Sequence, residues 1–389
     1  MENASVTPAS KKDAPGEVKV LGAASFLNDF GSDMVYPIWP LFVVSLGADM
    51  RILGFIDGLG DALVSISQGI SGYLSDKWRK RKVFIWLGYL MGALSRVGYA
   101  LSRTWHPLVP FRVLDRAGKM RGAPRDAIIA DASTNENRGQ NFGFLRTLDN
   151  LGAVCGIITT LYLVNHLSYS RIFLIASVPS LIAAALIYAK IKDRPTANIY
   201  KGVSVKNLST SFKIFLAASA LFALASFSYS FLIVYASEIA DFAKTTVPLL
   251  YLLFTVFAAL SSYPAGKLAD KLGRKPLMQA GFLLFAVACL GMTYAKTHLP
   301  VILLFIVYGL HRGVLDTVQK AYVAELAPPE FRASTLGFFQ MVVGILALPA
   351  SFIAGSLWET VSPQAPLMFS AALALLASAA LASVKRLSD

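Results

Sequence analysis

Gly72-Tyr73-Leu74-Ser75-Asp76-Lys77 and Gly266-Lys267-Leu268-Ala269-Asp270-Lys271 write one hexapeptide pattern twice, 194 residues apart. A second stretch repeats at the same offset. Ala127, Ala130, Asp131, Glu136, Arg138, Gly143 and Phe144 find counterparts at Ala321, Ala324, Glu325, Glu330, Arg332, Gly337 and Phe338. Two distant segments that agree on one offset point to an internal duplication of a unit of about that length.

The rest of each unit is apolar. The chain has 389 residues, of which 55% are hydrophobic and 15% charged, against about 25% charged in a soluble domain. The apolar residues come in blocks long enough to cross a bilayer, which takes about 20 residues per helix. Twelve spans are expected, at 20–46, 52–75, 83–102, 107–131, 139–165, 171–189, 212–239, 245–267, 276–295, 299–324, 333–357 and 364–384. The fold class is therefore an all-α membrane protein, with 12 transmembrane helices in two pseudo-symmetric six-helix bundles. Four segments follow: a polar tail 1–19, a first bundle 20–189, a linker 190–211 rich in Lys and Arg, and a second bundle 212–389. The tail lacks a leading hydrophobic core, so no cleavable signal peptide is expected.

Net charge is +13. In a soluble chain that would suggest nucleic acid. Here the basic residues gather in loops on one side, among them Lys77, Arg79, Lys80, Arg81, Lys82, Lys271, Arg274 and Lys275. Arg51, Arg103, Arg171, Lys244 and Lys296 remain for the other side. The bias puts both termini in the cytoplasm, in a cell membrane such as a bacterial inner membrane. No nucleic-acid partner is expected. Cys155 and Cys289 lie inside apolar blocks and match no disulfide or metal spacing. No cofactor is expected, since there is no glycine-rich phosphate loop with its lysine.

The loop Gly266-Lys-Leu-Ala-Asp270-Lys271-Leu-Gly273-Arg274-Lys275 resembles the loop signature of the major facilitator superfamily, and the resemblance extends over about residues 20–385. The copy at Gly72, Asp76, Lys77 and Arg81 departs from it at Arg79, where the family usually has glycine. The resemblance implies a cytoplasmic gate formed by Gly72, Asp76, Lys77, Arg81 and Asp131 in one half, and by Gly266, Asp270, Lys271, Gly273, Arg274 and Glu325 in the other. The physical basis is that glycine permits close helix packing, and a carboxylate at a helix end pairs with bases or with a helix N-terminus. Span 4 follows the family spacing of Arg112 and Gly118, with Arg116 where many members have glycine. Span 5 carries Gly143, Gly152 and Gly156 of an antiporter-like signature but has Ile157 in place of its proline.

Charges inside spans are costly unless they face an aqueous cavity or each other. Span 1 puts Asp29, Asp33 and Tyr36 on one helical face, and span 2 carries Asp57 and Asp61 one turn apart. Span 4 carries Arg112, Asp115, Arg116 and Lys119. Span 5 carries Arg146, Asp149 and Asn150. Span 7 offers Tyr229 among serines, and span 10 carries His311, Arg312 and Asp316. In the family, helices 1, 4, 7 and 10 line the central cavity, so these residues are the candidates for a substrate or proton pathway. Two carboxylates one turn apart in a low dielectric disfavour double ionisation, which suits Asp29 or Asp33 to carrying a proton. A purely structural pairing, Asp115 with Arg146 or Asp149 with Arg116, is the competing expectation. The surplus of Arg112, Arg116, Lys119 and Arg312 favours an anionic solute, because guanidinium binds carboxylate and phosphate in a bidentate way. His311 has no second His or Cys nearby, so no metal site is expected.

The expected function is secondary active transport of a small organic anion by alternating access, coupled to protons. The chain is expected to act as a monomer in the lipid bilayer, without enzymatic activity. Two alternatives stand beside it: a multidrug antiporter for lipophilic cations, and a non-transporting receptor or scaffold.

Overall fold

The computed structural model describes residues 14–78, 80–132, 138–193, 209–243, 245–326 and 332–383. Every regular element among them is helical. In chain order they are α1 (Ala14–Val35), α2 (Trp39–Ser45), α3 (Met50–Trp78), α4 (Arg81–Leu101), α5 (Leu108–Ala117), a 3-10 turn (Gly118–Arg121), α6 (Gly122–Asp131), α7 (Arg138–Leu163) and α8 (Tyr169–Lys190). The second half holds α9 (Thr210–Ala225), α10 (Ser230–Glu238), α11 (Val247–Leu272), α12 (Arg274–Tyr294), α13 (His298–Leu326), α14 (Arg332–Thr360) and α15 (Ala365–Ala382). Joining α1 to α2, α5 to α6 and α9 to α10 gives twelve traverses, where the apolar blocks place them. Most of the expected tail, linker residues 194–208 and the repeat position Glu136 lie outside the described residues.

Eight traverses among the described residues are long and apolar enough to cross a membrane by length and composition alone. The four that fall short are α1–α2, α3, α5–α6 and α7. All four lie in the first half, and each carries Asp or Arg residues inside its span. Of that charge, Asp61, Arg112 and Arg116 line the cavity described below.

Spans 1, 4 and 7, read from sequence as continuous helices, are each broken. Span 1 unwinds at Tyr36–Ile38, because Pro37 has no N–H to continue the ladder. Span 4 tightens into its 3-10 turn just before Pro124. The Met120 carbonyl, which would have met the missing Pro124 N–H, accepts instead from Ser71 Oγ of α3 at 2.7 Å. Span 7 opens at Ser226–Tyr229 without proline or glycine. There the Ser228 N–H donates to Ser351 Oγ at 3.2 Å and the Ser230 N–H to Ser228 Oγ at 3.2 Å. Side-chain oxygens replace the lost helical acceptors, as backbone inside a membrane requires.

The repeat holds in three dimensions. A methyl group at Gly72 would rest 3.4 Å from the Ala123 side chain, and one at Gly266 would rest 3.5 Å from Thr317. Ala123 and Thr317 are themselves one repeat apart, so the same helix crossing is built twice.

The halves meet unequally. The longest junction between them is α3 on α14. Added methyls at Gly54, Gly58 and Gly355 would strike the backbone of the facing helix, and one at Gly344 would strike Ser65. The N–H of Met50 donates to Glu359 Oε1 at 2.8 Å, closing the same end. Nearer the chain termini the two helices part: a methyl at Gly69 or Gly337 meets nothing within 4 Å. The bundle is shut at the end remote from the termini and splayed at the terminal end.

Candidate functional site

A cavity of about 400 Å³ lies between the halves below the shut end. The first half lines it with Tyr36 from the span 1 break, Asp61 and Ser65 from α3, and Arg112 and Arg116 from α5. The second half contributes Ser226, Phe227, Ser228 and Tyr229 from the span 7 break, Tyr251 and Phe254 from α11, and Tyr308 and Arg312 from α13. Val343, Gly344 and Ala347 of α14 complete the wall. Spans 2, 8 and 11 therefore join spans 1, 4, 7 and 10, a correction to the expected lining.

Three guanidinium groups face one carboxylate in this wall. Arg112 Nη2 donates to Asp57 Oδ1 at 2.6 Å, while its Nε and Nη1 have no hydrogen-bond partner. The Arg112 guanidinium carbon stands 4.3 Å from the centre of the Trp39 ring. Arg116 Nη1 donates to Tyr36 Oη at 3.2 Å, and its Nε, also without a hydrogen bond, lies 3.8 Å from Asp115 Oδ2. Lys119 Nζ stands 5.8 Å from the centre of the same Tyr36 ring. Arg312 is open to the cavity and lies 3.7 Å from Asp316 one helical turn on. Among the described residues no cluster of His, Cys, Asp and Glu suits a metal ion.

Asp29 and Asp33 lie outside the lining. On α1, Asp33 sits about one turn and Asp29 about two turns from Tyr36 towards the splayed end. Asp33 is half-buried. Asp29 Oδ1 accepts from Asn28 Nδ2 at 2.9 Å and stands 3.8 Å from Arg121 Nη2. The pairings expected for span 5 do not form. Asp149 is bridged by Arg146 at 3.2 Å and by Arg125 at 3.4 Å, and Arg146 also reaches Asp126 at 3.3 Å. Asp115 pairs with Arg116 beside it, not with Arg146, because α7 packs on α1 and away from α5. The close α1–α7 crossing is made by Gly152 and Gly156, whose added methyls would strike the carbonyls of Phe26 and Phe30. Asn150 is exposed. His311 turns away from the cavity: its Nδ1 lies 2.8 Å from the Gly281 carbonyl oxygen, and its ring packs on Phe222 and Phe285.

Sequence alone does not single out three charged residues of the site and its surroundings, Asp57, Asp61 and Arg96. Asp57 was visible as half of a span 2 pair, but its role depends on Ser228 and Ser230, far away in sequence. Arg96 is 2% exposed and held by neutral groups: Ser32 Oγ at 2.7 Å, the Ala176 carbonyl at 3.1 Å, and Ser180 Oγ. A lone arginine in an otherwise apolar block was its only signal.

At the terminal end, Arg81 pairs with Asp131 at 2.5 Å and Arg274 with Glu325 at 2.6 Å. Each pair lies within its own half; the two acids are one repeat apart, and the arginines differ by one position within it. Lys77 and Lys271 are exposed, and Gly273 turns the chain between α11 and α12 at a φ of 93°. The side chains of Asp76 and Asp270 lie outside the described residues.

The comparisons agree with this architecture. The Major Facilitator Superfamily description matches residues 21–236 and 214–388. An uncharacterized MFS-type transporter of Methanocaldococcus jannaschii is 38% identical over 370 residues, covering 92% of each chain. The nucleoside transporter NupG superposes with a TM-score of 0.77 at 16% identity, over 95% of this chain and 98% of that one. A bacterial homolog of the human lysosomal transporter Spinster, in an inward-facing and occupied conformation, superposes with a TM-score of 0.77 at 13% identity over 97% of both chains. With its internal repeat, its twelve traverses and these matches, the chain belongs to the major facilitator superfamily of transporters.

Proposed function

We propose that this chain carries a small organic anion through the central cavity by alternating access, driven by protons. The observation that carries the reading is the cavity wall. Arg112, Arg116 and Arg312 line the cavity with Asp61, their Asp57, Asp115 and Asp316 partners lie outside the lining, and three nitrogens of Arg112 and Arg116 lack hydrogen-bond partners. Guanidinium is the side chain suited to carboxylate and phosphate, by charge and by fork geometry. The volume limits the cargo to a small molecule. Six aromatic rings in the wall, from Tyr36, Phe227, Tyr229, Tyr251, Phe254 and Tyr308, favour a cargo with a planar apolar part.

Asp29 and Asp33 are the proposed proton carriers. They lie between the cavity and the splayed end, next to each other and within reach of the bases of span 4. With the termini in the cytoplasm, as loop charge favours, the splayed end is cytoplasmic and the structure corresponds to an inward-open state. The terminal-end pairs Arg81–Asp131 and Arg274–Glu325 then belong to the gate that closes in the opposite state.

A second reading, export of lipophilic cations, draws on the same rings with Asp61 as counter-charge. The guanidinium nitrogens of Arg112 and Arg116 that have no hydrogen-bond partner favour the anion. Purified protein screened by thermal shift against organic acids, phosphate esters and lipophilic cations separates the two. Stabilisation by cations alone would reverse the assignment. In proteoliposomes, Asp29→Asn or Asp33→Asn is expected to abolish pH-gradient-driven uptake of the stabilising solute. Wild-type uptake in both variants would remove the proton role.

A further inference from the structure

Asp57 is 1% exposed and accepts hydrogen bonds from both halves of the molecule. On its own side, Trp39 Nε1 donates to Oδ1 at 2.8 Å and Arg112 Nη2 to the same oxygen at 2.6 Å. From the opposite half, Ser228 Oγ donates to Oδ2 at 2.8 Å, and Ser230 Oγ donates to the same atom. One carboxylate thus joins the breaks of spans 1 and 7, where α2 and α10 begin. Those two short helices pack on each other to form the shut end, and their apolar residues are buried. Beside this joint, Tyr229 Oη donates to the Tyr36 carbonyl at 2.9 Å, again across the halves.

We propose that Asp57 is the latch of the shut end: it ties the cavity residue Arg112 to Ser228 and Ser230 of the opposite half, and opening away from the termini requires those two serine bonds to break. The proposal rests on the alternating-access reading, not on the identity of the cargo. Its chemistry is directional. Arg112 and Trp39 move with Asp57, so they keep the carboxylate neutralised in either state. The serines belong to the moving partner, and their bonds exist only when the end is closed. Hydroxyls suit a contact that must be remade each cycle. They donate to a carboxylate when docked and to water when released, whereas a second cation would leave a buried charge unpaired in one state. The broken backbone at span 7 serves the same arrangement, since only an unwound segment presents two hydroxyls two residues apart to one oxygen.

The test needs no solute. Cys155 and Cys289 are replaced, and spin labels are placed at Arg103→Cys and Lys296→Cys, exposed positions at the shut end of the two halves. Distances are measured by pulsed electron paramagnetic resonance. The wild-type background is expected to give one short, dominant population. Ser228→Ala/Ser230→Ala, and separately Asp57→Asn, are expected to raise the ratio of long to short distances roughly tenfold or more, the weight of a charge-assisted hydrogen bond. Ser219→Ala, which removes a buried hydroxyl without a partner in α9, is expected to leave the distribution unchanged. Wild-type distributions in both latch variants would overturn the proposal, as would an equal response to Ser219→Ala. If Asp57→Asn does not fold, the double serine variant carries the test. A failed screen for anions would overturn the cargo assignment and leave this measurement standing.

Discussion

Arg112 and Asp57 form an ion pair of 2.6 Å in which each side chain is 1% exposed. Neither partner has another full opposite charge within 4 Å among the described residues. Removing one member of such a pair leaves a buried charge uncompensated, at a cost of about 3–5 kcal/mol. Asp57→Ala and Arg112→Ala are each expected to lower the melting temperature in detergent markedly, and the double variant by less than the sum of the two. Additive losses would mean that the pair is not coupled.

The paired surface charges provide the contrast. Arg274 and Glu325 approach as closely, but their side chains are 29% and 41% exposed. Exposed pairs contribute about 0–1 kcal/mol and weaken with salt. Arg274→Gln is expected to change the melting temperature little, and less still in high salt. A loss matching that of Asp57→Ala would show that the terminal-end pair holds the fold together.

Gly58 sets how near α14 can come to α3. A methyl there would lie 2.8 Å from the Ala347 carbonyl oxygen, which is backbone and cannot swing aside. Gly58→Leu is expected to hold the shut end open. A cysteine placed at Ser226 in a background without Cys155 and Cys289 would then react with an impermeant maleimide, applied opposite the termini, at least about tenfold faster, since exposure follows the shifted population. An unchanged rate would mean that α3 and α14 close without this contact.

Arg116 and Arg312 face the cavity from opposite halves. Each is expected to give a bound anion a charge-assisted contact, and its loss to cost about ten- to a hundredfold in affinity. Arg116→Gln and Arg312→Gln should show this in binding isotherms for whichever anion stabilises the protein. Arg146→Gln, on a side chain 58% exposed and tied to α7 and α6, should not. Equal losses in all three would mark a general electrostatic field instead of a site.

Chain order was enough for the twelve traverses, the duplication and the family. Hydropathy blocks and a fixed repeat offset are linear properties, and the bilayer length that reads them is external to the fold. The same reading marked Arg112, Arg116, Arg312, Tyr36 and Tyr229 as cavity candidates, since charge and phenol in a span have few other uses. Which charges meet was left to helix packing. Arg146 found Asp126 and Asp149 instead of Asp115, because α7 lies on α1. His311 turned inward within its own half because its face of α13 meets α9 and α12. Asp57 became the joint between the halves through two serines that carry no signal in a chain with many others. Ion pairing and hydrogen bonding act over a few ångströms, and chain order does not specify which distant side chains come that close.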